Sequence, residues 1–222
     1  MLPGPDRIVA CPHCGALARH ATLAPGGGLR ATVWTDGLEE APMLPQPPAV
    51  LRCARCARFY WLADAEPVGV LAAGAPDADP AWAAATPVRE LSEAEHYLAL
   101  EQGLARDGVE ERALRILAWW RRNDPYRAWD GTAPQQQGDA WPPRPVSDAC
   151  RRNLLALAYG LDPHDPHALL MKAEAFRELG RFGDAKAVLA DVGHSFHGRL
   201  VAQLHRLCDA GDTCVRRAEL FG

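Results

Sequence analysis

Several features that would point to a simple class of function are missing from this chain of 222 residues. No apolar run approaches the 18 or so residues of a membrane-spanning helix, so none is predicted. The first six residues have no basic stretch followed by an apolar one, so we predict no secretory signal and expect a cytoplasmic location. No G-x-S-x-G motif, Walker loop or dinucleotide-binding glycine pattern is found, so motifs leave enzymatic activity open but without support.

A basic excess is also missing, although proteins that bind nucleic acid usually have one. The formal net charge is −4. Residues 1–66 hold six arginines and six acidic residues, and residues 67–222 hold 18 basic and 22 acidic residues. The charge therefore disfavours nucleic acid as a partner, although Arg52, Arg55 and Arg58 form a local basic cluster.

Two cysteine pairs are the strongest signal in the sequence. Cys11 and Cys14 form one C-x-x-C motif, and Cys53 and Cys56 form another. Each pair offers two thiolates to one metal ion, and the four thiolates together complete a tetrahedral shell. In a reducing compartment this arrangement favours a metal over disulfides. We predict one structural Zn²⁺ in a zinc ribbon, with no open position for catalysis at the metal.

Other interpretations of these residues stay open. Iron in a rubredoxin-like site uses the same cysteine pairs, and a redox dithiol needs only one of them. A second metal site is conceivable at His164 and His167 with Asp162 and Asp165, or at the spacing of His194 and His197. The alternative is that these residues form turns and helix starts, where Asp and His are common, and we favour it.

The elements change type along the chain, and an α+β fold is predicted. Short strands are expected at 7–10, 29–34, 49–52 and 58–62, where β-branched and aromatic residues cluster. Residues 63–90 are rich in Ala, Pro, Gly and Asp and indicate a connector. The predicted domains are therefore a β-rich ribbon with a long insertion between its knuckles (1–66), a connector (67–90) and a helical domain (91–222).

Capping residues set the predicted helices of the second domain. Ser92 with Glu95 forms a capping box, Ser147 is an N-cap, and Asp165 followed by Pro166 is a strong helix start. Further helices are predicted at about 109–122, 182–191 and around 200–208, and Asp212 is expected to cap a short last helix. Trp120 falls on the apolar face of the helix at 109–122, and Trp119 falls at the edge of that face.

Residues 166–191 resemble a tetratricopeptide repeat. The matching positions are Leu169, Phe176, Gly180, Phe182 and Ala185. Gly180 suits a tight turn, and Ala185 lets two antiparallel helices approach closely. Only this unit matches well, so we expect a short helical array with helical hairpins.

With the ribbon, which contains Trp34-Thr35-Asp36-Gly37 and Pro42-Met43-Leu44-Pro45, the chain resembles bacterial proteins that pair these two modules. The resemblance implies no assigned activity. It favours an adaptor that binds an unidentified protein, with Trp34, Asp36 and Trp119 as candidate partner-binding residues. For Trp119 the alternative is packing. A nucleic-acid-associated ribbon and an accessory subunit of an enzyme remain the other hypotheses.

Overall fold

The computed structural model describes residues 4–22, 31–41, 46–72, 79–127, 145–192 and 198–220. The chain folds into two compact units. We call Met1–Ala31 with Glu40–Leu104 the knuckle unit, and Thr32–Glu39 with Ala105–Gly222 the helical unit. The predicted α+β fold is confirmed, because strands dominate the N-terminal part and helices the C-terminal part.

The described residues form eight strands, seven α-helices and a 3-10 turn at Leu62–Asp64. The strands are β1 (Asp6–Ala10), β2 (Leu17–His20), β3 (Thr32–Val33), β4 (Glu39–Glu40), β5 (Val50–Arg52), β6 (Phe59–Trp61), β7 (Glu66–Leu71) and β8 (Thr86–Pro87). The helices are α1 (Pro80–Ala83), α2 (Glu93–Glu101), α3 (Gly108–Arg127), α4 (Asp148–Gly160), α5 (Pro166–Glu178), α6 (Phe182–Ala190) and α7 (Gly198–Asp209).

The knuckle unit contains a four-stranded sheet in the order β7-β1-β2-β8 and a separate hairpin of β5 and β6. β1 is antiparallel to both β2 and β7, whereas β8 is parallel to β2. In the hairpin, Leu51 lies opposite Tyr60. These two side chains are buried with Cys11 and Cys53, so the small core of this unit is built around the cysteines.

The predicted connector at 63–90 is wrong for the described residues of this range, 63–72 and 79–90. β7 pairs along most of β1, and β8 closes the other edge of the sheet. The Ala-, Pro- and Gly-rich composition concealed a strand, because Val68 and Val70 alternate around Gly69. Gly69 is needed there, since a Cβ atom at this position would lie 2.2 Å from the Trp82 ring.

The helical unit is a stack in which each of α3 to α7 packs against the next. Ala175, Phe176 and Ala185 form one apolar cluster with residues of α3, α4 and α7. A second cluster joins Leu170, Leu189 and Leu204 from α5, α6 and α7. Gly180 has a φ of +73° at the turn between α5 and α6, a backbone conformation that glycine adopts without strain.

The two units differ from the predicted domains in two places. Thr32–Glu39 belongs to the helical unit, although it lies between the two cysteine pairs in sequence. α2, predicted to open the helical domain, belongs to the knuckle unit. The division into independently folding parts stays a prediction.

The predicted helix starts agree with the structure. Ser92 and Glu95 form both hydrogen bonds of a capping box, and the side chains of Ser147 and Asp165 each accept from a backbone N–H of the first turn. The prediction for the end of the chain is wrong. Asp212 accepts a hydrogen bond from the backbone of Cys214 at 2.8 Å in a turn, and no helix follows among the described residues.

Helix α3 continues five residues beyond its predicted end. Asn123, Tyr126 and Arg127 in this extension are buried, and their contacts hold the extra turn despite Pro125. None of the helices in the described ranges is long and apolar enough to cross a membrane. The predictions at residues 29–30, at 42–45 and at His194 and His197 fall outside the described residues.

Replacing Ala185 tests the packing of the helical hairpin. Ala185 is fully buried, so Ala185→Arg forces a charged side chain into the contact between α5 and α6. We expect the free energy of unfolding to fall by roughly 3 kcal/mol or more, from overpacking and burial of a charge. The matched control is Ala187→Arg, at an exposed position of the same helix, which should change it by about 0.5 kcal/mol at most. Equal thermal midpoints for the two variants would contradict this packing.

Candidate metal centre

The four cysteines of the two C-x-x-C motifs come together in the knuckle unit. The sulfur atoms of Cys11, Cys14, Cys53 and Cys56 all lie within 4.8 Å of one another. The Cys14 and Cys53 sulfurs are 3.6 Å apart, and those of Cys11 and Cys56 are 3.9 Å apart. This arrangement is suited to holding one metal ion.

The sulfur spacing fits a tetrahedral thiolate shell. Metal–sulfur bonds of about 2.3 Å in a regular tetrahedron place neighbouring sulfur atoms about 3.8 Å apart. The observed distances of 3.6 and 3.9 Å bracket this value. The four side chains use every position of such a shell, and Zn²⁺ and iron both accept it. The spacing supports a metal site without identifying the metal.

The two knuckles have the same backbone conformation. Cys11 N–H donates to Ala16 O, and Cys53 N–H donates to Arg58 O, both at 2.9 Å. The fourth residue after each first cysteine, Gly15 or Ala57, donates back to that cysteine at 2.9 Å. Both take a left-handed backbone, with φ of +68° at Gly15 and +58° at Ala57. Ala57 is the one non-glycine residue with positive φ among the described residues, so the second knuckle carries local strain.

Backbone donors prepare the second knuckle for an ionised sulfur. Burial alone would raise the pKa of Cys53, but N–H groups of Cys56 and Arg55 directed at its sulfur lower it to about 7. The Cys56 N–H lies 3.4 Å from that sulfur. By contrast, burial raises the pKa of Cys11 to about 12. Of these two thiols, Cys53 is therefore the one from which a metal displaces a proton more easily.

His13 lies between the two cysteines of the first knuckle without joining the ligand set. Its side chain is exposed, and its Nε2 atom lies 3.2 Å from the carbonyl oxygen of Phe59. With Nε2 protonated, the ring donates this hydrogen bond and ties the first knuckle to β6. Its ring also meets Tyr60 edge-on at 6.4 Å.

The alternative metal site receives no support within the described residues. Asp162 accepts from the backbone of His164 at 2.8 Å, and Asp165 accepts from that of His167 at 3.0 Å. These are turn and helix-capping bonds, as the favoured interpretation predicts. Of the side chains that the structure describes, only the four cysteines form a group able to hold a metal ion.

Trp34, a candidate partner-binding residue, is buried in the helical unit with 5% of its surface exposed. Its segment pairs with the end of the chain: Trp34 bridges Arg217, Ala218 N–H donates to Val33 O, and Thr35 N–H donates to Arg216 O, the last two at 2.8 Å. The guanidinium carbons of Arg127 and Arg217 lie 5.7 and 5.9 Å from the Trp34 ring centre. These are cation–π distances. Trp34 is therefore covered by residues of its own unit and is not a surface residue.

Asp36 is fully buried at the turn between β3 and β4. Its carboxylate accepts from Arg127 in a buried ion pair, from the Asn123 amide at 2.9 Å and from Leu38 N–H at 3.2 Å. Its backbone carbonyl accepts from the Trp120 indole at 3.1 Å. Burial raises the pKa of Asp36 to about 6, despite the opposing charge of Arg127. The turn is thus held on α3 by charged and neutral donors together.

Trp119 is also fully buried, and its indole N–H donates to Glu178 at 2.8 Å. Glu178 further accepts from the Asn123 amide at 2.9 Å, so one amide group bridges Glu178 and Asp36. Burial, followed by the charges of Glu174 and Asp36, raises the pKa of Glu178 to about 8. Trp119 and Trp120 exchange the places predicted for them, since Trp120 is only half-buried.

The three candidate partner-binding residues are therefore corrected to packing residues. Each side chain is covered by the helical unit itself, so none offers a surface to another molecule. Trp34 and Asp36 lie in one buried polar cluster with Trp119, through Asn123 and Glu178. Glu174 and Arg177 extend this cluster: Thr35 donates to Glu174 at 2.5 Å, and Arg177 donates to Glu174 at 2.6 and 2.7 Å.

Comparison with known families supports the helical unit alone. Residues 148–208, which contain α4 to α6 and all but the last residue of α7, match the model of the tetratricopeptide repeat. No curated protein and no solved structure matches the chain. The match extends beyond the 166–191 segment recognised in the sequence, and it agrees with the stacked packing of these helices.

Relief of the strain at Ala57 should tighten metal binding. Ala57→Gly removes the cost of a left-handed alanine, roughly 1–2 kcal/mol, and adds the chain entropy of glycine, about 0.5–1 kcal/mol. We expect a net gain of about 0.5–1 kcal/mol, measured as a severalfold higher zinc affinity in chelator competition. The matched control is Gly15→Ala, where a Cβ atom has open space and only the backbone is strained, so affinity should fall. An affinity that falls in both variants would contradict the strain at Ala57.

The buried carboxylates predict an unusual pH dependence. Because the folded pKa values of Asp36 and Glu178 lie above the ordinary values, their contribution to stability is largest below about pH 4 and is lost as pH rises to about 8. Between about pH 5.5 and 7, the free energy of unfolding of the helices should fall by roughly 1.4–2 kcal/mol per pH unit, because the folded state holds about one extra proton at Glu178 and part of another at Asp36. Urea unfolding followed by far-ultraviolet circular dichroism measures it.

Glu178→Gln should flatten this slope, since the variant has no proton to lose at this position. Glu111→Gln replaces an exposed carboxylate on α3 and serves as the control, with the slope of the parent protein. An equal slope in the Glu178→Gln variant and the parent would show that Glu178 does not hold a proton in the folded state.

Proposed function

We propose that the protein is a zinc-stapled adaptor that binds another protein through its helical unit. The match of residues 148–208 to the tetratricopeptide repeat carries this proposal, because such repeats generally present surfaces to protein partners. The four-cysteine cluster supports a structural role for the metal, since its closed shell leaves no position for a substrate. A cytoplasmic location suits four metal-bound thiolates.

The face of α3 and α5 is an unsuitable partner surface, because this chain already covers it. The segment from Thr32 to Glu39 lies on α3 through Asp36 and on α5 through Thr35, which donates to Glu174. Gly37 lies beside Met171 of α5: a Cβ atom built on Gly37 would be 3.8 Å from the Met171 side chain. A partner therefore needs another surface of the helical unit.

The surface around Tyr159 is the best candidate. Tyr159 lies at the end of α4 with 65% of its surface exposed. Its ring meets Phe176 edge-on at 5.9 Å, and its hydroxyl lies 3.3 Å from Arg181. Arg181 lies over Phe176, with its guanidinium carbon 4.6 Å from the ring centre. Tyr and Arg are enriched among the residues that dominate binding energy in interfaces.

Affinity purification from the source organism tests the adaptor role. We expect a protein that co-purifies with the parent chain at moderate salt and whose recovery falls about tenfold with Tyr159→Ala or Arg181→Ala, a loss typical of interface hot spots. Val109→Ala, at a 70% exposed position on α3, is the matched control and should retain that protein. The proposal is wrong if no co-purifying protein is recovered less with the Tyr159 and Arg181 variants and equally well with Val109→Ala.

Zinc is the metal that we propose for the four-cysteine cluster. The purified, colourless protein should contain about one zinc per chain by elemental analysis, as a four-thiolate site requires. Cys53→Ser should lose the metal, whereas Cys150→Ser changes a buried cysteine outside the cluster and should keep it. A red-brown protein with one iron per chain would identify the alternative metal. Metal-free protein from a reducing preparation would contradict both.

Binding of nucleic acid is disfavoured as the function of the knuckle unit. This unit has seven arginines and no lysine against ten acidic residues, before the charge of a thiolate-bound metal is added. Four thiolates on one divalent ion contribute a further formal charge of −2. A unit of this charge repels a phosphate backbone overall.

A further inference from the structure

The knuckle unit contains a groove of about 650 Å³ beside the second cysteine knuckle. Residues from β2, from β5 and its following knuckle, and from β8 and its following loop line it. Leu17, Leu51, Val88 and Leu91 give the groove an apolar lining. Its volume is in the range of protein binding pockets, which extends from about 300 to 1,000 Å³.

The charge of the groove is opposite to the charge of its unit. Arg52, Arg55 and Arg89 line it, and no acidic residue does. Yet the described part of the knuckle unit, like its whole sequence, has more acidic than basic residues. Three of its seven arginines are therefore gathered at one site, which makes charge complementarity with an anionic occupant the main feature of the groove.

Two of these arginines are held in position by one carboxylate. Arg89 donates to both oxygens of Glu95, at 2.6 and 2.8 Å, and Arg52 lies 3.7 Å from the same side chain. Glu95 is itself fixed by the capping box of α2. Arg52 also donates to Ala57 O at 3.2 Å and lies over the Phe59 ring. Such preorganisation reduces the conformational entropy lost when a ligand binds.

The third arginine leaves the groove with an excess of positive charge. Arg55 is exposed and has no ion-pair partner among the residues that the structure describes. Glu95 offsets one of the other two charges. Arg89 comes from a separate loop that follows β8 and is paired with Glu95. The exposed Arg55 is therefore the guanidinium in the groove that is open to an anionic occupant.

We propose that this groove binds an acidic segment of a protein partner, with apolar side chains between its carboxylates. Arg55 would pair with a carboxylate in the two-pronged geometry that guanidinium groups favour, whereas Arg89, already paired with Glu95, would attract the segment at longer range. Leu17 and Val88, which are half-buried in the wall of the groove, would cover the apolar side chains. A peptide is favoured over nucleic acid because the one aromatic ring in the lining, Tyr60, is 3% exposed and offers no face for base stacking. This site is separate from the Tyr159 surface and does not depend on it.

Fluorescence anisotropy with the zinc-loaded full chain tests the proposal. The probes are a labelled, blocked heptapeptide of alternating glutamate and valine, the same peptide with lysine in place of glutamate, and a mixed-sequence single-stranded DNA of about 20 nucleotides. We expect the glutamate peptide to bind about tenfold more tightly than the lysine peptide and the DNA. Its affinity should fall as salt rises from about 50 to 200 mM, as electrostatic recognition requires.

Variants locate the binding. Arg55→Glu should weaken binding of the glutamate peptide about tenfold, the loss expected for one carboxylate pair. Arg89→Gln removes a charge but no direct pair and should weaken it about threefold. Arg7→Glu, at an exposed position on β1 outside the groove, should change the affinity for the glutamate peptide less than about twofold. Zinc content confirms that each variant keeps its metal site. Amide shifts in a nuclear magnetic resonance titration should concentrate at 51–57 and 86–91.

Three results would overturn the proposal. One is the lack of detectable binding of the glutamate peptide at millimolar concentration. Another is equal binding of the glutamate and lysine peptides, or of the parent chain and the Arg55 and Arg89 variants. The last is tighter binding of the DNA, which would assign the groove to nucleic acid. None of these results touches the adaptor proposal, whose test depends on Tyr159 and Arg181.

Discussion

The buried carboxylate of Asp36 is the interaction on which the helical unit most depends. A charge without solvent is costly, and this one is met by Arg127, by the Asn123 amide and by the backbone of Leu38. These donors come from α3 and from the turn itself, so the turn has one position in which its charge is satisfied. Removing Arg127 alone would leave a buried anion, which typically costs about 3–5 kcal/mol. The ion pair specifies where Thr32–Glu39 lies, whatever its net contribution to stability.

This position gives the chain an interleaved order. The chain leaves the knuckle unit after Ala31, contributes eight residues to the helical unit and returns at Glu40. Both cysteine pairs flank this excursion, since Cys14 precedes it and Cys53 follows it. A metal bound by the four thiolates would close the intervening 38 residues into a loop and reduce the entropy of the unfolded chain. Within the long insertion, which is surplus to a minimal ribbon, Thr32–Glu39 thus has a structural role in the helical unit.

Local patterns predicted the parts of the structure that depend on neighbours in sequence. The C-x-x-C spacing located the metal ligands, because each knuckle is a short turn with its own hydrogen bonds. The capping residues Ser92 and Asp165 located helix starts for the same reason. Gly180 and Ala185 located a helical hairpin within the later match at 148–208. Tetratricopeptide-like packing therefore followed from a few residues of suitable size.

Long-range pairing escaped prediction. Thr35 and Arg216 exchange hydrogen bonds across 181 residues. The strand predicted at 29–34 contains β3, but its local pattern carried no sign that it packs in the helical unit. Trp34 and Asp36 were consequently assigned to a surface, when their polar atoms and rings serve a buried contact. β7 was hidden by its Pro and Gly residues, although the alternation of Val68 and Val70 was a usable signal. Trp119 was placed at the edge because its partner, Glu178, lies 59 residues away.

Hydrogen exchange of one backbone amide tests the interleaved fold most directly. The Thr35 amide donates to Arg216 O at 2.8 Å, so it is protected only while the segment from Thr32 to Glu39 stays in the helical unit. If that segment is part of the core, the amide of Thr35 should exchange with the same free energy as amides in the middle of α5, through global unfolding. If the opening that allows the Thr35 amide to exchange costs several kcal/mol less than the opening of α5, the segment detaches from folded helices and the central claim is wrong.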